Sequence, residues 1–374
     1  MQDPRLQSLA SILIHYSAKV QEGQQLAVFG PQGAIPLLNA IYEEAISAGA
    51  HAYTFVRDAY GRPGLSGQDA LFYRLASDAQ LSRPDPFMKL MLETSDAWIR
   101  IDAPDNTRRL SAVDPAKEIL RSHGNQPLRE IFRRRHASGE LRWVYTLFPT
   151  AALAQEAEMS LREFEDFTYS ACYADRPDPI AEWQRFHSTQ RRWVDWLEGK
   201  RSVEVRGPEV DLRFSIEGRS FINCAGEINL PDGEIYTGPV EDSVEGWIRF
   251  SYPAIYHGRS VEGVELRFEK GRVVQASATK GQDFLHQIME TDAGARYVGE
   301  FAIGTNQHIQ RFSRNILFDE KIGGTIHLAL GSGYPETGSR NESSVHWDMI
   351  CNMRNGGQIL VDGEVFYDSG EFQI

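Results

Sequence analysis

The chain reads as an α/β N-terminal domain with a mainly parallel sheet, residues 1–200, followed by an α+β C-terminal domain rich in antiparallel strands, residues 201–374. Two observations carry that expectation. In the first half, short β-prone runs alternate with helical stretches, the pattern of parallel strands joined by crossover helices. Beyond about residue 200, short alternating segments are broken by Gly, Asp and Asn, the signature of antiparallel strands and hairpin turns. The length agrees, because 374 residues exceed what one typical core organises.

Element by element, QQLAVFG (24–30) is an apolar run ending in glycine. The turn GPQGA (30–34) and the helical stretch IPLLNAIYEEAISAGA follow it. HAYTFV (51–56), AWIRID (97–102) and LRWVYTLFP (141–149) are further strand candidates. AALAQEAEMSLREFEDFTYSACYA reads as one helix capped by Thr150. A long helical segment (179–200) closes this half. The strands of the second half are SVEVRG, VDLRFSI, GWIRFSYPAIY, VEGVELRFEKGRVVQASA and the closing QILVDGEVFYDSGEFQI, whose VDGE (361–364) marks a hairpin. One helix interrupts them, around DFLHQIMETDAGAR.

A formal charge of −13 argues against a nucleic-acid partner, which would need Lys and Arg to neutralise phosphates. The balance is −3 over residues 1–200 and −10 over 201–374. Cys172, Cys224 and Cys351 are scattered and odd in number, which fits a reducing cytoplasm rather than a disulfide framework. The N-terminal twenty residues look amphipathic rather than like a signal peptide, and no run approaches the ~18 apolar residues of a membrane helix.

GPQGA has neither dinucleotide nor P-loop spacing, so it reads as a plain strand-to-helix turn. Arg133, Arg134, Arg135 and His136 read as a solvated helix face. More telling are five residues of metal-ligating types between Glu234 and Asp348. His346 and Asp348 stand two apart in NESSVHWDMI, where a strand would turn both to one face. Glu234 follows the Pro-Asp-Gly turn of NLPDGEIYTGP; taken alone, it reads as an exposed hairpin acid. Glu300 in RYVGEFAIGTN faces burial and so needs a positive partner. His327 lies in the strand TIHLALG, where a lone histidine is more often a hydrogen-bonded core residue. Two histidines and three carboxylates suit Zn, Co, Mn or Mg, a two-ion site, and metal-dependent hydrolysis.

NLPDGEIYTGP, YVGEFAIGTN, TIHLALGSGYP and NESSVHWDMI, in this order, resemble the aminopeptidase S and aminopeptidase T family of metallo-aminopeptidases, the thermophilic metalloproteases. The resemblance implies that Glu234, Glu300, His327, His346 and Asp348 are metal ligands. Glu300 would bridge or activate water, and Tyr334 would be the catalytic tyrosine. Glu320 is counted with the metal-site residues as a further acid that the resemblance implies near the site, although an extra Gly-Gly departs from the longer relatives. Two divalent ions, a metal-activated water, a peptide with a free N-terminus as substrate and a homodimer enclosing the site are implied in the same way. The competing expectation is a mononuclear iron dioxygenase of the dihydroxypyridine type, for which His327, His346 and Asp348 alone would suffice.

Overall fold

The structure, a computed structural model, describes residues 3–57 and 67–374. The first two residues of the amphipathic N-terminal stretch lie outside them. The chain divides into two compact units, 1–183 with 226–231, and 184–225 with 232–374. The division falls inside the helix Pro179–Leu197, and a short segment returns to the first unit.

The first unit is built on a five-stranded parallel sheet in the order His51–Val56, Gln25–Gly30, Ala97–Asp102, Arg142–Leu147, Asn229–Leu230. The two-residue strand at its edge, in the returning segment, is too short to carry a periodic signal. The GPQGA segment is a single turn, Gln32–Ala34, leading into the helix Ile35–Ser47. A Cβ on Gly33 would stand 3.1 Å from the Ala103 carbonyl, so this backbone is packed against protein.

Two expectations need correction here. The stretch 151–171 is two helices, Ala151–Glu156 and Leu161–Ala171. Glu158 adopts a left-handed φ of 56°, which ends the first helix, and Ser160 with Glu163 forms a capping box that starts the second. Thr150 does cap the first, its hydroxyl accepting from the Leu153 amide at 3.3 Å. In the basic run, Arg133 and Arg134 are exposed, but Arg135 is not simply solvated. Its guanidinium donates to the carbonyls of Leu92 and Ser95 at 2.7 and 2.8 Å and pairs with Glu140 at 3.1 Å.

The second unit is antiparallel. An eight-stranded sheet includes Ser202–Gly207, Val210–Ser215, Glu265–Glu269 and the C-terminal hairpin, where Asp362 and Gly363 both adopt positive φ. A five-stranded sheet runs in the order His346–Asn352, Thr325–Gly331, Val298–Gly304, Glu234–Thr237, Ile222–Cys224. One core takes side chains from both sheets, among them Val205, Leu212 and Phe268 from the larger and Phe301, Leu328 and Met349 from the smaller. Each such fully buried side chain contributes about 1.5–3 kcal/mol. Phe301 and Phe214 meet across it with ring centres 4.9 Å apart. This packing fixes the smaller sheet, on whose other face the chemistry lies.

Candidate metal centre

Strand register assembles the site. Glu234 lies opposite Gly304 and Tyr236 opposite Ala302. Ala302 in turn faces His327, and Glu300 faces Ala329. Ala329 faces Asp348, and Gly331 faces His346. Opposed residues and alternate residues share a face, so Glu234, Glu300, His327, His346 and Asp348 all stand on one side of the sheet. The positions between them are Ala302, Gly304, Ala329 and Gly331, a floor of small residues. The intervening positions Phe301, Ile303, Ile326, Leu328, Trp347 and Met349 belong to the core.

A register shift between Val298 and Glu300 lets Val298 join the core while Glu300 joins the site. Gly299 is the residue that makes it possible. A Cβ there would lie 2.3 Å from the Ser332 carbonyl oxygen, so no larger residue fits without moving the backbone.

The donors converge. His327 Nε2 is 3.2 Å from Glu234 Oε2 and 3.5 Å from Glu300 Oε1. His346 Nε2 is 3.3 Å from Glu300 Oε2 and 3.6 Å from Asp348 Oδ1. Two donors bound tetrahedrally to one ion at about 2.0–2.2 Å stand about 3.3 Å apart, so these separations fit a shared cation. Three further triads of donor atoms, besides one at Cys224, Asp232 and Glu234, lie mutually within 4.8 Å among the described residues. They are Glu234–Glu300–His327, Glu300–His346–Asp348 and Glu320–His327–Asp348.

Burial sharpens the case. Glu234 and Glu300 are buried and His327 is fully so, which removes the exposed-hairpin reading of Glu234. Glu234 Oε2, both ring nitrogens of His327 and Asp348 Oδ1 are buried without a hydrogen-bond partner. His327 is therefore not the hydrogen-bonded core histidine that its strand suggested. Orphaned buried polar atoms are costly unless something charged meets them. A divalent cation fits this donor set of imidazole nitrogens and carboxylate oxygens. His346 differs in that its Nδ1 meets the Ser332 carbonyl at 2.8 Å, which turns Nε2 toward the centre.

The electrostatics agree. Burial works against charge on His327, yet the Glu234 and Glu300 carboxylates beside it hold its pKa well above the ordinary range. Burial and the crowd of acids push Asp348 up, and burial carries Glu320 to about 8 against the pull of Lys321. Burial opposes charge on Glu234 and Glu300 too, yet Lys321 and His327 beside the one, and His327 and His346 beside the other, hold both below the ordinary carboxylate range. The protons kept by Asp348, Glu320 and the imidazoles are those a cation would displace.

Sequence reasoning passed over one residue. Lys321 is fully buried, its ammonium 2.5 Å from Glu234 Oε1, 2.8 Å from Glu320 Oε1 and 3.5 Å from Asp232 Oδ1. The signal was available in FDEKIGG, where apolar Phe318 and Ile322 bracket the Glu-Lys pair. Tyr334, by contrast, is 38% exposed, its ring centre 5.2 Å from the His346 ring and 5.3 Å from that of Tyr236.

Comparison with known proteins gives one answer. The family model of thermophilic metalloprotease (M29) matches residues 2–372. Aminopeptidase 2 of Geobacillus stearothermophilus is 29% identical over 402 residues, covering 100% of this chain and 94% of that protein. Aminopeptidase T of Thermus thermophilus is 26% identical over 406 residues, covering 98% and 95%. Among solved structures, wild-type AmpT from Thermus thermophilus superposes with a TM-score of 0.85 at 23% identity over 99% of both chains. A 2,5-dihydroxypyridine dioxygenase from Pseudomonas putida reaches 0.60 at 15% identity over 98% and 96%, a likeness of fold. With its match running almost end to end over a sheet face of convergent donors, the chain belongs to the thermophilic metalloprotease family.

Proposed function

We propose that this centre removes N-terminal residues from peptides and does so with two divalent ions, which Glu234, Glu300, His327, His346 and Asp348 would hold. The chain is a metallo-aminopeptidase by family, and its curated relatives carry that name. One observation carries the two-ion reading. Glu300 directs Oε1 to His327 and Oε2 to His346, so each oxygen serves a different triad. Charge supports it as well. Among the described residues, Asp232, Glu234 and Glu320 meet one ammonium, Lys321, while Glu300 and Asp348 meet only imidazoles; five carboxylates against one ammonium would leave, once all are ionised, four negative charges that two divalent ions would balance. Zn, Co, Mn and Mg all suit such donors.

When bound, the ions would polarise the first peptide carbonyl and activate water. The protein's own groups supply the rest. Because both Glu300 oxygens are engaged, Glu300 suits the bridging role, and Glu320 is the carboxylate left to accept a proton. Tyr334, exposed beside His346, would donate a hydrogen bond to the oxyanion that develops on the substrate. The net acid of the second half favours a substrate bearing a free α-ammonium. In this reading the first unit shapes the cavity or a homodimer contact, and the enzyme works in the cytoplasm, where separate thiols stay reduced. Light scattering at 42.2 kDa rather than twice that mass would remove the dimer.

The test is elemental analysis run beside hydrolysis of aminoacyl-p-nitroanilides. Close to two divalent ions per chain, with chelator-sensitive release that disappears on N-acetylated substrates, is the expected result. One iron per chain and no amide hydrolysis would move the protein to the dioxygenase reading, which leaves buried Glu234 and Glu300 without a role.

A further inference from the structure

We propose that Lys321 is a positioning residue that restricts Glu234 to one coordinating oxygen and weakens the hold of the Glu234–His327 side on its ion. This rests on the metal-centre reading above. The two carboxylate oxygens of Glu234 have different partners. Oε1 is 2.5 Å from the Lys321 ammonium, while Oε2 accepts no hydrogen bond and faces His327, 3.2 Å from its Nε2. An ammonium this close removes Oε1 from competition for a second cation, so Glu234 presents Oε2 alone.

Lys321 cannot withdraw. It is fully buried, and Glu320 and Asp232 hold it from two further directions. Asp232 itself is fixed, its Oδ1 accepting from the Gly233 amide at 2.9 Å. The Glu234 backbone carbonyl lies 3.4 Å from the amide nitrogen of buried Gln190. The carboxylate is thus pinned at both ends of its residue.

The second triad has no equivalent. Among the described residues no lysine or arginine pairs with Glu300 or Asp348, whose ion-pair partners are His327 and His346. A fixed positive charge beside one cation position and not the other makes the two positions unequal. Like charges repel in proportion to proximity, and more strongly in a dry site than in water. The position next to Lys321 therefore gives up its ion more readily, and an ion held by fewer negative donors polarises what it touches more strongly.

The experiment is chelator competition on metal-loaded protein, with manganese alone as the probe, which needs no peptide substrate. Lys321→Gln keeps a hydrogen-bond donor for Glu234 and removes the charge. It should hold the weaker ion about tenfold more tightly, with kcat falling and KM little changed. Lys321→Arg keeps the charge and should restore the wild-type ion affinity. Asp232→Asn is isosteric and keeps Lys321, whose charge it leaves less compensated, so it should loosen the same ion. It stands as the test if the lysine variants do not fold. Ion affinity unchanged or lowered in Lys321→Gln, or unchanged in Asp232→Asn, would overturn the proposal and leave Lys321 as a packing residue. A wild-type protein that binds two ions but hydrolyses no peptide would sink the aminopeptidase reading and leave this comparison standing.

Discussion

The two histidines of the centre live in opposite surroundings. His327 is completely buried on a central strand, neither ring nitrogen has a hydrogen-bond partner, and its Nε2 faces the Glu234 and Glu300 carboxylates. His346 is on the edge strand, its side chain 28% exposed, and a backbone carbonyl fixes its ring. Tyr334 stands beside His346, whereas the buried Lys321 lies behind Glu234 on the His327 side. One half is sealed, with a fixed ammonium at its back; the other is open to the surface. The difference teaches that nearly equal sets of donors on one sheet face can stand in unequal surroundings.

Glu300 is where the halves meet, so its loss should have the largest effect. Glu300→Gln is expected to lower kcat/KM about a thousandfold or more and to reduce ion content at both positions. A variant that keeps one full ion would show that the halves are independent. The next contrast separates the histidines. Both His327→Ala and His346→Ala should lose activity about a hundredfold, but only the buried one should also unfold the ion-free protein more easily, by about 1–3 kcal/mol in denaturant titration. Equal destabilisation would erase the distinction between sealed and open halves. Tyr334→Phe should lower kcat about tenfold to a hundredfold with ion content intact, and an unchanged kcat would remove the phenol from the chemistry.

The smallest effect concerns the approach to His346. Asp292 accepts from the hydroxyl of Ser343 and from the amide and hydroxyl of Ser344, each at 2.8 Å, and so pins the loop before the His346 strand. Partial burial opposes its charge, but these bonds win and hold its pKa at about 2, below the ordinary 3.8. A depressed folded-state pKa means stability that is present above pH 3.8 and lost as pH falls toward 2. Asp292→Asn should flatten that acid limb in thermal melts of the ion-free protein, leaving the neutral range almost unchanged. An undiminished acid limb would show that the loop is held otherwise.

Much of the architecture was legible because it repeats. Alternation marked the strands, and His346 and Asp348 two residues apart revealed a shared face before any geometry was known. What escaped had no period. The edge strand Asn229–Leu230 has only two residues and pairs with Arg142–Leu147, more than eighty positions earlier. Lys321 reads locally as one more charge in a turn, and its partner Glu234 is 87 residues away. The break at Glu158 was written in the Ser160–Glu163 capping box, but the helical composition on both sides concealed it.

The alternation of the five-stranded sheet reaches further than the site. Alternate positions of the same strands answer to different demands, Phe301, Leu328 and Met349 to packing, and Glu300, His327 and Asp348 to the candidate site. Chemistry and durability are thereby inherited on separate parities of one text. A lineage can rewrite one parity letter by letter while the other keeps the protein folded, which makes such a sheet hospitable to new reactions.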